Sequence, residues 1–416
     1  MHERIERVDA LRGLALLSIA VIHFMEQFLG AMPPAEHASY TQHGVADRLI
    51  EALGFVFIRG KGFALFSFLF GLSFALQMQH AETRSPGSDF RPRFAWRLLI
   101  LGAIGLVHGL LYGGDILLIY AVLGLPLLMF YNVRDRWLII VAMVLILGAP
   151  RIAYQAFSPA PTATTLAQLA AKTKVETERH WETLTHGSLV DVARANATRA
   201  LPSKAEFQLG FMGRGYQTFG LFLLGLWAGR RRIFENLEEN RALFRRAFRW
   251  SVGPAALIGI LALAGMTYAA FHPQAQGGDG APVNPWIWKI VAGITLYDAW
   301  NFACTMCYIA GFVLITRWAR VDRLLRLLAP VGRLALSNYL AQTIFGSFLF
   351  MGFGTGLLGT VGNSVTLPIG LAFFALCAWV STLWLRSYHY GPMEWLWRSL
   401  TLLRAQPFRR RRAVEA

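Results

Sequence analysis

Apolar segments of about 20 residues recur along this 416-residue chain, and that feature decides most of what it can fold into. A run of this length crosses a hydrocarbon core about 30 Å thick, where every backbone polar group must find a partner inside the protein. Ten such runs stand near 11–31, 52–78, 94–112, 115–131, 136–155, 211–229, 251–271, 286–315, 333–351 and 365–385. The expected fold is an all-α polytopic membrane protein, a bundle of about ten transmembrane helices. Composition agrees, since 55% of residues are hydrophobic and 15% charged, against about 25% charged in soluble domains.

Charge sets the expected orientation. Arg4, Arg7 and Arg12 precede or open the first run, and Arg84, Arg91, Arg93 and Arg97 separate the second from the third. Arg134 and Arg136, the cluster from Arg230 to Arg249, the stretch from Arg317 to Arg326 and the tail PFRRRR continue the alternation. The loops at 272–285 and 352–364 contain no Lys or Arg. Cationic loops stay cytoplasmic, so both termini are expected there. The same loops account for the net charge of +16, and no nucleic-acid partner is expected. The basic N-terminus precedes an apolar run without a clear small-x-small site, so an uncleaved first span is expected. Cys304, Cys307 and Cys377 all lie in apolar runs, which argues against a disulfide framework; the C-x-x-C spacing reads as packing.

Four regions follow. Residues 1–155 form a five-span bundle expected to hold the catalytic groups. Residues 156–208 form an extracytoplasmic helical loop, a lid or a spacer. Residues 209–390 form a second five-span bundle, and 391–416 an interfacial helix with a basic tail.

Titratable groups inside a span are costly and point to function. In DALRGLALLSIAVIHF, Arg12 and His23 stand eleven helical steps apart, about 20° beyond three full turns and about 16 Å along the axis. They therefore share one face. The second run opens IRGKGFALF, placing Arg59 and Lys61 toward the outer side. The hairpin GLVHGLLYGGDILLIY sets His108 between Gly105, Gly109 and Gly113, spaced by four for close helix contact, and places Asp115 at the outer turn. Asp115 is expected near Lys61, where an Asp, a His and a Lys could tune a proton-transfer group; as a helix N-cap it would be unremarkable chemistry. Arg333 opens the ninth run, in which Ser337, Asn338, Tyr339 and Gln342 crowd together, either bonding helix to helix or lining a polar path. Glu394 and Arg398, four apart, have the spacing of a helical ion pair.

The stretches DALRGLALL, RGKGFALFSFLFGLSFAL, VHGLLYGGDILLIYAVLGL, VGRLALSNYLAQT and GPMEWLWR, taken in order over most of the chain, resemble the YeiB-like family of bacterial inner-membrane proteins. That family is distantly similar to acyltransferase family 3 and to heparan-α-glucosaminide N-acetyltransferase, which move an acyl group from cytoplasmic acyl-CoA to an extracytoplasmic acceptor. Acyltransferase family 3 has an Arg, ten residues and a His in its first span, and Arg12 and His23 reproduce that spacing. Many YeiB-like sequences carry Asn where this chain carries His23, so it departs toward the acyltransferase pattern. The resemblance implies acyl transfer, most simply of acetyl, to a small-molecule or glycan acceptor. His23 would be general base or transient acyl carrier, with Asp115, Lys61 and His108 as further catalytic groups. Arg12, Arg59, Arg333, Asn338, Tyr339 and Gln342 would hold the acyl-CoA. No metal is expected; the other partners are the bilayer and a second copy in a homodimer. Two alternatives stay open: a transporter of an anionic or amphipathic molecule, and a protein using His23 and His108 to ligate one haem.

Overall fold

A computed structural model describes residues 5–84, 89–158, 162–271 and 283–410. Most of the loop expected at 272–285 and the end of the basic tail lie outside them. The described chain is helical, with no strand and a single isolated bridge between Tyr388 and Arg409.

Each expected span coincides with helix, but the helices differ in reach. The first is α1 (Glu6–Met25). The second breaks into α2 (Val45–Phe57) and α3 (Lys61–Arg84) at Gly60, whose φ is +81°. α4 (Arg91–Leu111) and α5 (Leu117–Phe130) form the expected hairpin. The fifth span splits into α6 (Asp135–Ile146) and α7 (Ala149–Phe157), bent by 55°. α8 (Ala163–His186) and α9 (Leu189–Leu209) pair as a polar hairpin. Next come α10 (Arg214–Arg230), α11 (Arg241–Phe271) and α12 (Val283–Ile315). Short α13 (Ala319–Arg326) and α14 (Ala329–Arg333) lead to α15 (Ala335–Phe350), α16 (Asn363–Ser387) and α17 (Pro392–Thr401).

Among the described residues, five helical segments are long and apolar enough to cross a membrane, or six if α6 and α7 count together. The chain is a multi-pass membrane protein, and the expected count of ten exceeds the segments that meet this test. α5, α10 and α15 have 14, 17 and 16 residues, short of the roughly 20 a straight crossing needs. α10 tolerates this because protein surrounds it. It packs on α3 through Gly71 and Gly225, where an added Cβ would stand 1.9 Å from the Phe222 oxygen and 2.0 Å from the Phe68 oxygen. α1 is central, packing on α3, α14, α15 and α16.

The α8–α9 hairpin covers the end of the bundle opposite the start of α1. Gly352 N donates to Leu184 O at 2.8 Å, Asn196 Nδ2 donates to Leu110 O at 3.0 Å, and Leu184 and Val192 pack with Phe28 and Tyr112.

Candidate functional site

The site begins on one stripe of α1. Arg12, Leu16 and Ile19 recur at steps of four and three, the period of one helix face, and line a cavity of about 2130 Å³. At its rim stand Arg7, Arg93, Arg326, Arg333 and Arg398, interspersed with carboxylates such as Glu6, Asp89 and Glu235, and Arg7 and Arg326 both pair with Asp322; beside Leu16 and Ile19 the walls are apolar, formed by Phe66, Phe70, Leu101 and Leu117. Arg12 is held in place at that rim: Nη1 donates to Asp9 Oδ1 at 2.7 Å and Nη2 to Ser73 Oγ at 2.9 Å. Tyr339 of α15 also lines the cavity.

His23 is the next residue along that stripe. Its ring lies 5.1 Å from Tyr112, 5.3 Å from Phe28 and 6.1 Å from Tyr339, measured between centroids. The His108 ring lies 5.1 Å from the same Tyr339. The two imidazoles thus meet one tyrosine, which itself faces the cavity.

His108 is oriented by Asp115. Its Nδ1 stands 2.7 Å from Asp115 Oδ1, and both side chains are buried. A carboxylate at that distance places the proton on Nδ1 in the neutral ring and leaves the lone pair on Nε2. Asp115 also accepts the N–H groups of Leu117 and Leu118, each at 3.1 Å, so it caps the first turn of α5 as well. The tight turn that puts it there is backed by Gly105, where a Cβ would stand 2.5 Å from Leu118 N.

Around this point lie buried polar atoms without a hydrogen-bond partner: His23 Nδ1, His108 Nε2, Tyr339 Oη, both amide atoms of Gln342, and Ser347 Oγ. Buried polar atoms are nearly always paired, so such a group marks a place for water or a polar ligand.

Several expected residues stand elsewhere. Lys61 is not beside Asp115: Nζ donates to Phe55 O at 3.0 Å and lies 3.6 Å from the centre of a Trp300 ring. The cation near Asp115 is Lys204 of α9, with Nζ 3.8 Å from Oδ2. Nothing in the sequence marked Lys204, a single Lys near the end of a polar helix. Arg59 pairs with Glu51 at 2.6 Å and Glu26 at 3.0 Å, and it is absent from the cavity lining. Asn338 also turns away, since Nδ2 donates to Ser381 Oγ at 3.0 Å and to Val331 O at 3.3 Å. Glu394 does not reach back to Arg398. It accepts the N–H groups of Leu336 at 2.7 Å and Ser337 at 3.0 Å, while the Arg398 guanidinium lies 5.0 Å from the Tyr390 ring centre.

Comparison with known proteins identifies the lineage. The family model "Protein of unknown function (DUF418)" matches residues 228–404, the part that supplies Arg333 and Tyr339 to the cavity. An uncharacterised Bacillus subtilis (strain 168) protein, YxaH, is 30% identical over 99% of this chain and 98% of its own length. An uncharacterised 39.9 kDa protein in the amylase 3' region of Bacillus acidopullulyticus is 26% identical over 98% of this chain and 96% of its own. The uncharacterised YeiB protein of Escherichia coli (strain K12) is 26% identical over 97% of this chain and 98% of its own. With full-length relatives on this scale, the chain belongs to the YeiB-like family.

Proposed function

We propose that the protein is a transmembrane acyltransferase that takes an acyl group from cytoplasmic acyl-CoA and passes it to an acceptor hydroxyl or amine from the other side. One observation carries this reading: a cavity with an arginine-rich rim and apolar inner walls reaches Tyr339, against which His23 and His108 pack. The rim suits the phosphates of CoA, because guanidinium groups bind such oxygens through charge-assisted hydrogen bonds. The apolar inner walls suit the acyl-bearing arm. In this reading the arginine-rich end faces the cytoplasm of a bacterial inner membrane, the shorter helices complete a ten-span bundle, and the α8–α9 hairpin lies outside.

The chemistry assigned to the Tyr339 end of the cavity is proton transfer. The acceptor oxygen attacks the thioester carbonyl, and an imidazole takes its proton. The carbon–sulfur bond breaks as the carbon–oxygen bond forms, and the proton passes to the CoA sulfur. His108, oriented by Asp115, has its basic nitrogen open for this step; His23 faces the same tyrosine and serves as the second base or a transient acyl carrier.

Inside-out vesicles containing the protein, supplied with short-chain acyl-CoA labelled in the acyl group, test the proposal. Label should appear in a lumenal product as free CoA thiol accumulates outside, and His23→Ala and His108→Ala should each reduce this about 100-fold or more. Full transfer in both variants contradicts the proposal. Entry of the intact donor into the lumen favours transport instead.

A further inference from the structure

A second polar cluster, away from the cavity, lies where α3, α7, α10 and α12 meet. Asp298 of α12 is shared by two cations, Arg151 Nη2 at 2.6 Å and Arg214 Nη1 at 3.4 Å, and Gln217 Nε2 donates to its backbone oxygen at 3.1 Å. The Arg214 guanidinium also lies 4.9 Å from the ring centre of Phe63, in the first turn of α3. Arg59, just before α3, is matched by Glu26 and Glu51. Four cations therefore stand against three carboxylates once Lys61 is counted, and Lys61 is the one without a carboxylate.

Lys61 is the first residue of α3, and its side chain has no exposure. Its titratable neighbours are the Cys304 thiol of α12 and the cations Arg214 and Arg59. A phenylalanine carbonyl and an indole face do not neutralise an ammonium group that has left water. The N-terminus of α3 adds positive potential at the same place. A further observation points to a missing partner. Asn301 of α12 is fully buried, and neither of its amide atoms has a hydrogen-bond partner. It presses on the residue before the helix: a Cβ on Gly60 would stand 2.8 Å from Asn301 Oδ1 and 3.0 Å from Nδ2.

We infer that the start of α3, with Lys61, Arg214 and Asn301, forms a binding site for one small monovalent anion such as chloride. The charge count asks for a single negative charge. The rings of Phe55, Phe63 and Trp300 and the complete burial of Lys61 and Asn301 exclude a ligand with a bulky tail. The Asn301 amide, set against Gly60 just before Lys61, supplies a neutral donor at the head of the helix. The site is separate from the acyl-donor cavity and stands whether or not that cavity transfers acyl groups.

The test is the melting temperature of the purified full-length protein as chloride or bromide replaces gluconate at fixed ionic strength. Wild type should show a saturable rise of about 2 °C by tenfold excess over the dissociation constant. Arg12→Gln, at the cavity rim, should retain that rise, while Lys61→Met and Asn301→Leu should lose it. No halide dependence in wild type, or an undiminished rise in both site variants, overturns the inference. If those variants do not fold, anomalous scattering from bromide-soaked wild-type crystals decides: a peak beside Lys61 Nζ and Asn301 Nδ2 supports the site, and water alone there overturns it.

Discussion

Asp115 and Glu394 are two carboxylates with the same structural task and different reach. Asp115 accepts the N–H groups of Leu117 and Leu118 at the start of α5; Glu394 accepts those of Leu336 and Ser337 at the start of α15. Both neutralise orphan donors of a first helical turn and suit the positive end of a helix dipole. They differ in the third partner. Glu394 takes the Ser337 hydroxyl at 2.5 Å, and that oxygen accepts Met393 N at 3.1 Å, so the hydrogen bonds close on themselves. Asp115 takes the imidazole of His108, whose other nitrogen has no partner and whose ring packs 5.1 Å from the tyrosine of the cavity. A capping carboxylate becomes a candidate catalytic one only when it orients a group with an open valence.

The largest effect that could break this contrast is on turnover. Asp115→Asn keeps an oxygen that can cap α5 but no longer fixes the His108 tautomer. Acyl transfer should fall about 100-fold or more while thermal stability drops by at most about 1 kcal/mol. Comparable losses in both would reduce Asp115 to a cap. At the other end of the cavity, Arg12→Gln should raise the half-saturating acyl-CoA concentration about tenfold or more, as removal of one charge-assisted contact does. An unchanged value in donor titrations would remove Arg12 from the donor site. Glu394→Ala should behave oppositely to Asp115→Asn: a stability loss of about 1–2 kcal/mol in a thermal melt, with turnover per folded molecule changing by less than about threefold.

The smallest effect concerns the covering hairpin. Burial and the nearby Arg199 lower the His180 pKa to about 4 in the folded chain, against an ordinary value near 6.5. The unfolded hairpin therefore binds more protons between those values, and its docking weakens as pH falls from about 6.5 toward about 4. Hydrogen exchange in α8 and α9 should accelerate over that window, and His180→Gln should flatten the dependence. Equal acceleration in the variant would place the sensitivity elsewhere.

The sequence made local features readable and left distant pairings hidden. The stripe from Arg12 to His23 follows from helical period alone, and the turn before Asp115 follows from its two glycines. The polar run of α15 was visible as a whole, but the helix divides it by facing: Ser337 and Asn338 bond to Glu394 and Ser381, whereas Tyr339 lines the cavity and Gln342 is buried with neither amide atom paired. Lys61 and Lys204 show the limit most clearly. Depth in the membrane suggested Lys61 for Asp115, yet depth says nothing about which side of the bundle a helix occupies. Lys204 comes from a polar helix whose docking depends on tertiary contacts such as Asn196 to Leu110. Among the described residues fewer helices meet the crossing test than the ten apolar runs, in part because α5, α10 and α15 are shorter than a straight crossing needs, and the apolarity of a run does not fix the length of the helix it forms.

The central claim, that the cavity holds the acyl donor, is tested most directly by the structure of the purified protein bound to a thioether analogue of acetyl-CoA. Phosphate density is expected at the arginine rim beside Arg12 and Arg333, with the acyl end at Tyr339 and within reach of His23 or His108. Lipid filling the cavity while saturating analogue fails to bind, or analogue bound elsewhere on the protein, would contradict it.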